Sequence, residues 1–377
     1  MMMIQKKKIL YIIAEMEDFW SSRAPLARAM HEKGYDIHVS APGAAVNIKL
    51  KAAGYFGHNL PPMGRKFSPI PAVKTILEIR ELLQRLKPDL SHTITLKYSF
   101  LTGLAARGNN DTKFIFTIAG LGYLFSGQSK KAKIMLAALK PLLKTALRHP
   151  QARITFQNPD DREILTVGGF VNPDSTALIY GSGVDLQKFF PAPALAEQPP
   201  IVLMATRLIK DKGVQVFIDM AEILKKRGVS ARFQVAGGTT DHNPLALSKT
   251  EMEKMVASTS TEWLGKISDM PDLYSRSTLI VYPSWYREGI PRVLLEAAAS
   301  GKAIVTTDHP GCREAVADND NGILVPVRDA EAAANAVEEL LKNSTLRKKM
   351  EKRGRERAEK EFDSRLVVAQ TLKIYGL

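Results

Sequence analysis

Cysteine is nearly absent. Cys312 is the single one in 377 residues, which excludes an internal disulfide and any cysteine-based zinc site and fits a reducing, cytoplasmic compartment. The seven histidines show no H-x-x-x-H or similar spacing, so a resident metal is not expected. No uninterrupted apolar run approaches the roughly 18 residues of a membrane span. Lys6, Lys7 and Lys8 before an apolar stretch imitate a secretory leader. That stretch, residues 9–14, is too short, and Glu15, Glu17 and Asp18 follow it, so it reads as a first core strand. The turn after it, residues 15–22, has no G-x-G-x-x-G, which counts against an NAD or FAD enzyme. Acids are missing altogether from residues 112–159, a stretch with eight Lys and Arg.

The length suits two domains rather than one core. Charge separates them. Residues 1–190 hold 26 Lys+Arg against 14 Asp+Glu, leaving 27 against 25 for the remainder of a chain whose net charge is +14. A one-sided basic surface attracts phosphate, carried by nucleic acid, anionic lipid or a substrate. Nucleic-acid surfaces interleave aromatic and basic residues, yet residues 130–153 contain no Phe, Tyr or Trp, so nucleic acid is not an expected partner.

Short apolar, β-branched runs alternate with helical periodicities from residue 8 onward, which predicts doubly wound parallel sheets. Residues 70–86 carry Val73, Ile76, Leu77, Ile79, Leu83 and Leu86 at helical spacing. In residues 130–148 Leu136, Leu139, Leu143 and Leu147 form one stripe. Lys133, Lys140, Lys144 and Arg148 form the next, with Lys130 and Lys131 at the entrance. Adjacent stripes suit a helix lying on an anionic membrane, and a core-packed surface helix looks the same. Pro141 is expected to kink or split it. Gly120 and Gly122, after the strand of residues 113–118, are either turn glycines or a ligand loop. Residues 191–199, rich in Pro and Ala, read as a linker between a first domain, 1–190, and a second, 200–360. Residues 361–377 are expected to pack back on the first domain.

In the second half Arg207 and Lys212 lie between a strand and a helix. Such a pair either holds a diphosphate, Arg by its fork and Lys as a point charge, or is a solvated turn. The sequence Tyr286-Arg287-Glu288-Gly289-Ile290-Pro291-Arg292 joins a buried strand to an Ala-rich helix, the setting in which open α/β sheets bind anions. Glu288 falls at the loop mouth. Glu296 falls near the helix start, either capping amides or accepting vicinal sugar hydroxyls. Asp318-Asn319-Asp320 matches a D-x-D pattern but precedes a glycine and reads as a turn.

Taken in order, Gly181-Ser182-Gly183-Val184-Asp185, Arg207 with Lys212-Gly213, Trp263-Leu264-Gly265, Pro283-Ser284, Glu288-Gly289-Ile290-Pro291 with Glu296, and Gly311 with Glu314 resemble the family 4 retaining glycosyltransferases of the GT-B fold. Arg65-Lys66, Lys87-Pro88-Asp89, His92-Thr93 and Gly120-Leu121-Gly122 are similar to the bacterial members that extend polyprenyl-diphosphate-linked glycans. The first loop lacks that family's Gly pair, and Ile118-Ala119 stand where a histidine is usual. The resemblance implies two Rossmann-like domains facing a cleft. It implies transfer of an N-acetylhexosamine from a UDP-sugar to a polyprenyl-diphosphate glycan, without metal or cofactor, by front-face attack at the inner face of the cytoplasmic membrane. A sugar-nucleotide epimerase, or a transferase for another acceptor, is the alternative. Arg207 and Lys212 would bind the diphosphate, with Thr206 beside them, and Gly265 would line the base pocket. Glu296 would hold the ribose, and Glu288 with the backbone of Gly289, Ile290, Pro291 and Arg292 would hold the sugar and β-phosphate. Lys97, Gly120, Gly122, Phe19 and Ser21 are the acceptor-side candidates. Lys130, Lys131, Lys133, Lys140, Lys144 and Arg148 are the membrane-docking ones.

Overall fold

A computed structural model of the chain describes residues 6–62, 69–125, 130–192, 199–239 and 245–377. Arg65-Lys66 and most of the linker lie outside the described residues, as does the side chain of Lys131. Contacts divide the chain into two units. One comprises Met1–Ser182, Arg287–Gly289 and Arg365–Leu377; the other comprises Gly183–Tyr286 and Ile290–Ser364.

In the first unit β1 (Lys8–Ile12), β2 (Asp36–Ala41), β3 (Phe56–Asn59), β4 (Leu90–Ile94), β5 (Lys113–Ile118), β6 (Ala152–Phe156) and β7 (Thr176–Leu178) form one sheet in the order β3-β2-β1-β4-β5-β6-β7. Every pairing is parallel. Strands buried on both faces read as continuous apolar runs, as β1 does, with Ile9 to Ile12 fully buried. The order reverses between β1 and β4, and that switch point is where such sheets open a crevice at their carboxyl edge.

The Lys130–Leu147 helix settles which way its leucines point. Leu143 and Leu147 are buried, and Leu136 and Leu139 pack on the same core. The leucine stripe is therefore core-facing, not lipid-facing. Pro141 lies inside one helix of 18 residues and does not split it. Close packing holds that helix: a Cβ on Gly103 of the Leu96–Ala105 helix would stand 2.3 Å from Ala146 O. The helix Pro69–Leu86 buries Ala72, Thr75, Ile79, Leu82 and Leu83, whereas Ile70, Val73 and Leu77 face outward. The helix Ser364–Tyr375 ends on this unit. Tyr375 Oη lies 2.6 Å from Nδ1 of buried His92, and Lys113 Nζ donates to Tyr375 O at 2.8 Å.

In the second unit β8 (Ile201–Ala205), β9 (Arg232–Ala236), β10 (Thr261–Gly265), β11 (Leu279–Tyr282), β12 (Ala303–Thr307) and β13 (Gly322–Val325) form a parallel sheet ordered β10-β9-β8-β11-β12-β13. Its switch point lies between β8 and β11. Residues 183–190, assigned to the first domain from sequence, pack here instead: Val184 bridges Asp363, and Phe189 is buried against Tyr274 at 6.0 Å between ring centroids. The D-x-D stretch is a turn. Asn319 takes a positive φ, Asp318 Oδ1 accepts from Leu324 N at 2.8 Å, and Asp320 pairs with Arg353 at 2.9 Å.

Candidate active site

The second unit builds its site on the carboxyl ends of β8 and β11, the two strands that flank the switch point. After β8 comes Thr206, then exposed Arg207, then a 3-10 turn, Lys210–Lys212, closed by Gly213 at φ +86°. A Cβ on Gly213 would lie 2.1 Å from Pro283 O, so only glycine lets this turn approach the end of β11. Trp285 N donates to Asp211 O at 2.9 Å, tying the two loops together. Lys212 is thereby pulled in. It is 4 % exposed, its Nζ donates to Tyr282 Oη at 2.6 Å, and it lies 5.4 and 5.1 Å from the ring centroids of Tyr282 and Tyr286. A cation set against a phenol and two ring faces is held in place by them. Lys212 is therefore buried, not part of a solvated turn.

The neighbouring strand ends are equally close. A Cβ on Gly237 would meet Thr206 O at 1.7 Å, Gly237 N donates to Gly265 O at 2.7 Å, and Trp263 Nε1 donates to Gly237 O at 2.9 Å. Gly265 itself has φ +70° and open space above its Cα. Backbone of this kind, bare of side chains, leaves room for a flat ligand.

Glu296 sits in the second turn of the Arg292–Ala299 helix and does not cap it. Tyr274 Oη donates to Oε2 at 3.2 Å, and Arg292 Nη2 donates to Oε1 at 3.0 Å. Burial, helped by this carboxylate, holds the Tyr274 phenol well above its ordinary pKa, so it stays a donor. Each carboxylate oxygen keeps a second lone pair for hydroxyls. Ile290 and Pro291 are buried just before the helix. Trp285 Nε1 is a buried donor without a partner among the described residues, and the Arg328 guanidinium lies 4.9 Å from its ring centroid.

In the first unit Arg287–Gly289 is held by two polar contacts and by close backbone packing. Arg287 Nε donates to the fully buried Asp161 Oδ1 at 3.1 Å, and Gly289 N donates to Ala119 O at 3.1 Å. A Cβ on Gly289 would lie 1.8 Å from Gln157 Oε1, and one on Gly120 would lie 2.5 Å from Glu288 Cα. Gly120 (φ +108°) and Gly122 (φ +60°) are both turn glycines, and Gly120 also admits the Glu288 backbone. Asp161 is fixed in turn by Asn158, whose side chain donates to Oδ2 at 3.1 Å. Burial raises the Asp161 carboxyl above its ordinary pKa, against the pull of Arg287.

Lys97 follows β4 at this unit's switch point. It is half-buried, and desolvation lowers its pKa. Ser21 is exposed in the turn before the Ala24–Glu32 helix. Phe19 differs from expectation: it is fully buried against Tyr11 and Trp20 at 5.9 and 5.1 Å, so it serves the core and offers no surface to an acceptor. Sequence reasoning missed Tyr274, Tyr282 and Asp161. Each contacts its partner from 22 to 126 residues away, at distances no spacing rule reaches.

The chain matches the family described as glycosyl transferases group 1 over residues 185–357, and that described as glycosyl transferase 4-like over residues 8–158. It is similar to the N,N'-diacetylbacillosaminyl-diphospho-undecaprenol alpha-1,3-N-acetylgalactosaminyltransferase of Campylobacter jejuni, with 27% identity over 365 residues and 94% of each chain covered. It is also similar to the UDP-Gal:alpha-D-GlcNAc-diphosphoundecaprenol alpha-1,3-galactosyltransferase of Escherichia coli, 26% identical over 291 residues, 74% of this chain and 73% of that one. Among solved structures, the sucrose-phosphate synthase of Thermosynechococcus elongatus shares the fold at a TM-score of 0.80, with 20% identity and 98% of each chain covered.

Proposed function

We propose, for a chain that belongs to the group 1, 4-like glycosyltransferases of the GT-B fold, that it moves an N-acetylhexosamine from a UDP-sugar to a polyprenyl-diphosphate-linked glycan with retention. The observation that carries the reading is Lys212, a buried ammonium held by Tyr282 at the switch point of the second sheet. The relatives from Campylobacter and Escherichia, whose names state diphospho-undecaprenol acceptors, support the acceptor class. The donor nucleotide follows the second of those names.

In this reading the second unit holds the donor. Arg207 and Lys212 take the diphosphate and offset the charge that grows on it as the bond to the sugar C1 breaks. Glu296, oriented by Tyr274 and Arg292, accepts the ribose hydroxyls, and the open backbone at Gly265 receives the base. Glu288 hydrogen-bonds the sugar, and the backbone N–H groups of Ile290 and Arg292 take the β-phosphate. The acceptor oxygen bonds to C1 on the face the diphosphate leaves, and its proton passes to a leaving phosphate oxygen. The two cations, Arg207 and Lys212, do what a divalent ion does elsewhere, so transfer is expected to persist in EDTA.

The first unit then holds the acceptor, with Lys97 toward its diphosphate. No helix of the described residues is long and apolar enough to cross a membrane. A peripheral mode at the inner face of the cytoplasmic membrane is supported by exposed apolar side chains among basic ones: Ile70, Val73 and Leu77 with Lys74 on one helix, Ile134 and Leu142 with Lys133 and Lys140 on another. The test is a transfer assay with UDP-N-acetylhexosamines, a polyprenyl-diphosphate disaccharide and EDTA. A lengthened lipid-linked glycan is the expected product. Conversion of the UDP-sugar to its epimer without acceptor would replace this reading.

A further inference from the structure

A cavity of about 880 Å³ lies within the second unit, and none of the donor-site residues above lines it. Its walls include Pro200, Thr278 and Lys302, which come just before β8, β11 and β12, so it opens at the amino edge of the sheet. Thr206 and Arg207 follow the carboxyl edge. A five-residue strand at about 3.3 Å per residue keeps the two places roughly 16 Å apart. The opposite wall is one face of the Ser344–Arg357 helix, where Arg347, Glu351 and Arg355 recur every four residues beside Lys348, Lys352 and Glu356.

Most of the cations there are matched. Arg347 pairs with Glu351 at 3.6 Å, Lys352 with Glu356 at 4.0 Å, Arg355 with Glu359 at 2.6 Å and Arg276 with Asp272 at 2.6 Å. Lys302 and Lys348 have no carboxylate within 4.0 Å among the described residues. Lys302 is the unusual one. It is 6 % exposed, and among the described residues its ammonium donates only to Ser275 O, at 3.1 Å, although it carries three N–H donors. Gly301 at φ +63° and the bond from Lys302 N to Ala297 O fix it at the cavity wall. Burial lowers its pKa, which Glu351 opposes only in part. A buried, under-bonded ammonium in a cavity is a site for an anion.

The space exceeds what phosphate alone fills and falls within the range of small-ligand pockets, roughly 300–1,000 Å³. Glu351 and Glu356 add acceptors for hydroxyl groups. We propose that the cavity binds a phosphate-bearing sugar, its phosphate on Lys302 and Lys348 and its hydroxyls on the two glutamates. The proposal is independent of the donor reading, because no residue is shared.

The test is calorimetric titration of the full chain with glucose 6-phosphate, inorganic phosphate and glucose. Wild type and Arg207→Ala should bind glucose 6-phosphate equally, and glucose should not bind. Lys302→Met should weaken binding at least about tenfold, the size of a lost charged hydrogen bond. Lys348→Gln, at the exposed rim, should weaken it about threefold. Absence of binding to wild type overturns the proposal, as does unchanged affinity in both lysine variants. Loss in Arg207→Ala would move the ligand to the other edge and overturn it too. Inorganic phosphate binding as tightly as the sugar phosphate would overturn the sugar part. Should Lys302→Met fail to fold, Lys348→Gln decides.

Discussion

Removing the Asp161 carboxylate is the sharpest perturbation of the loop that carries Glu288. Asp161 is fully buried, and Arg287 exposes only a fifth of its side chain, so neither partner can turn to water without moving backbone. Breaking a buried pair by deleting one partner costs about 3–5 kcal/mol, because the other charge stays buried. Asp161→Ala and Arg287→Ala should each lower the stability of the first unit by about that much. The double variant should lose less than the two costs combined, since it leaves no orphan. The pH dependence separates charge from packing. Burial raises the Asp161 pKa in the folded unit, and losing Arg287 raises it further. A carboxyl with a raised folded pKa favours folding below its unfolded value, and that contribution is lost as pH rises through the folded one. The deficit of Arg287→Ala should therefore shrink as pH falls from 7 toward 4. Thermal unfolding of the four proteins across that range reads it directly. An additive double variant with a pH-independent deficit would refute the argument.

Three further outcomes follow from the same geometry. Lys212→Met keeps the buried stem but removes the charge beside Tyr282; transfer should fall about 10²–10³-fold in kcat, on the scale of one lost transition-state donor, with the melting temperature retained. His38 and His58 share a 2.9 Å contact, and burial, reinforced by His58, holds His38 near pKa 4 against an ordinary 6.5. A base with a depressed folded pKa loses its contribution as pH falls, so stability should drop by up to about 3 kcal/mol between pH 6.5 and 4, and His38→Leu should flatten that slope in urea titrations. Gln at Lys133, Lys140, Lys144 and Arg148 should release the protein from vesicles containing anionic lipid, and unchanged co-sedimentation would remove the membrane surface from the account.

Much of the architecture was legible because buried parallel strands advertise themselves. Residues 113–118 and 303–307 are β-rich apolar runs between polar turns, and they are the observed β5 and β12. The loop from Arg287 to Pro291 was legible because a strand, a Gly-Pro turn and a helix leave few other shapes. The direction of a helix face was not. Leu139 and Leu143 on one helix and Val73 and Leu77 on another have the same periodicity, yet the first pair faces the core and the second faces outward. Periodicity finds a stripe, and only the neighbouring Leu96–Ala105 helix decides what covers it. The long-range polar contacts were equally hidden. Tyr282 reads as one more apolar strand residue until Lys212, from a turn 70 residues earlier, is seen against its hydroxyl. Asp161 reads as an acid in the first turn of a helix, where it favours the helix dipole, and its pairing with Arg287 adds what that local role conceals.

We propose that the carboxyl edge of β8 and β11 is a uridine-diphosphate site built on Lys212. Titration calorimetry of UDP into wild type, Arg207→Ala and Lys212→Met, with GDP and ADP alongside, tests it most directly. UDP should bind wild type in preference to GDP and ADP, and each variant should bind it at least about tenfold more weakly, the loss of one charge-assisted contact. Binding of UDP that is indifferent to both substitutions, or no binding of UDP to wild type, would contradict it.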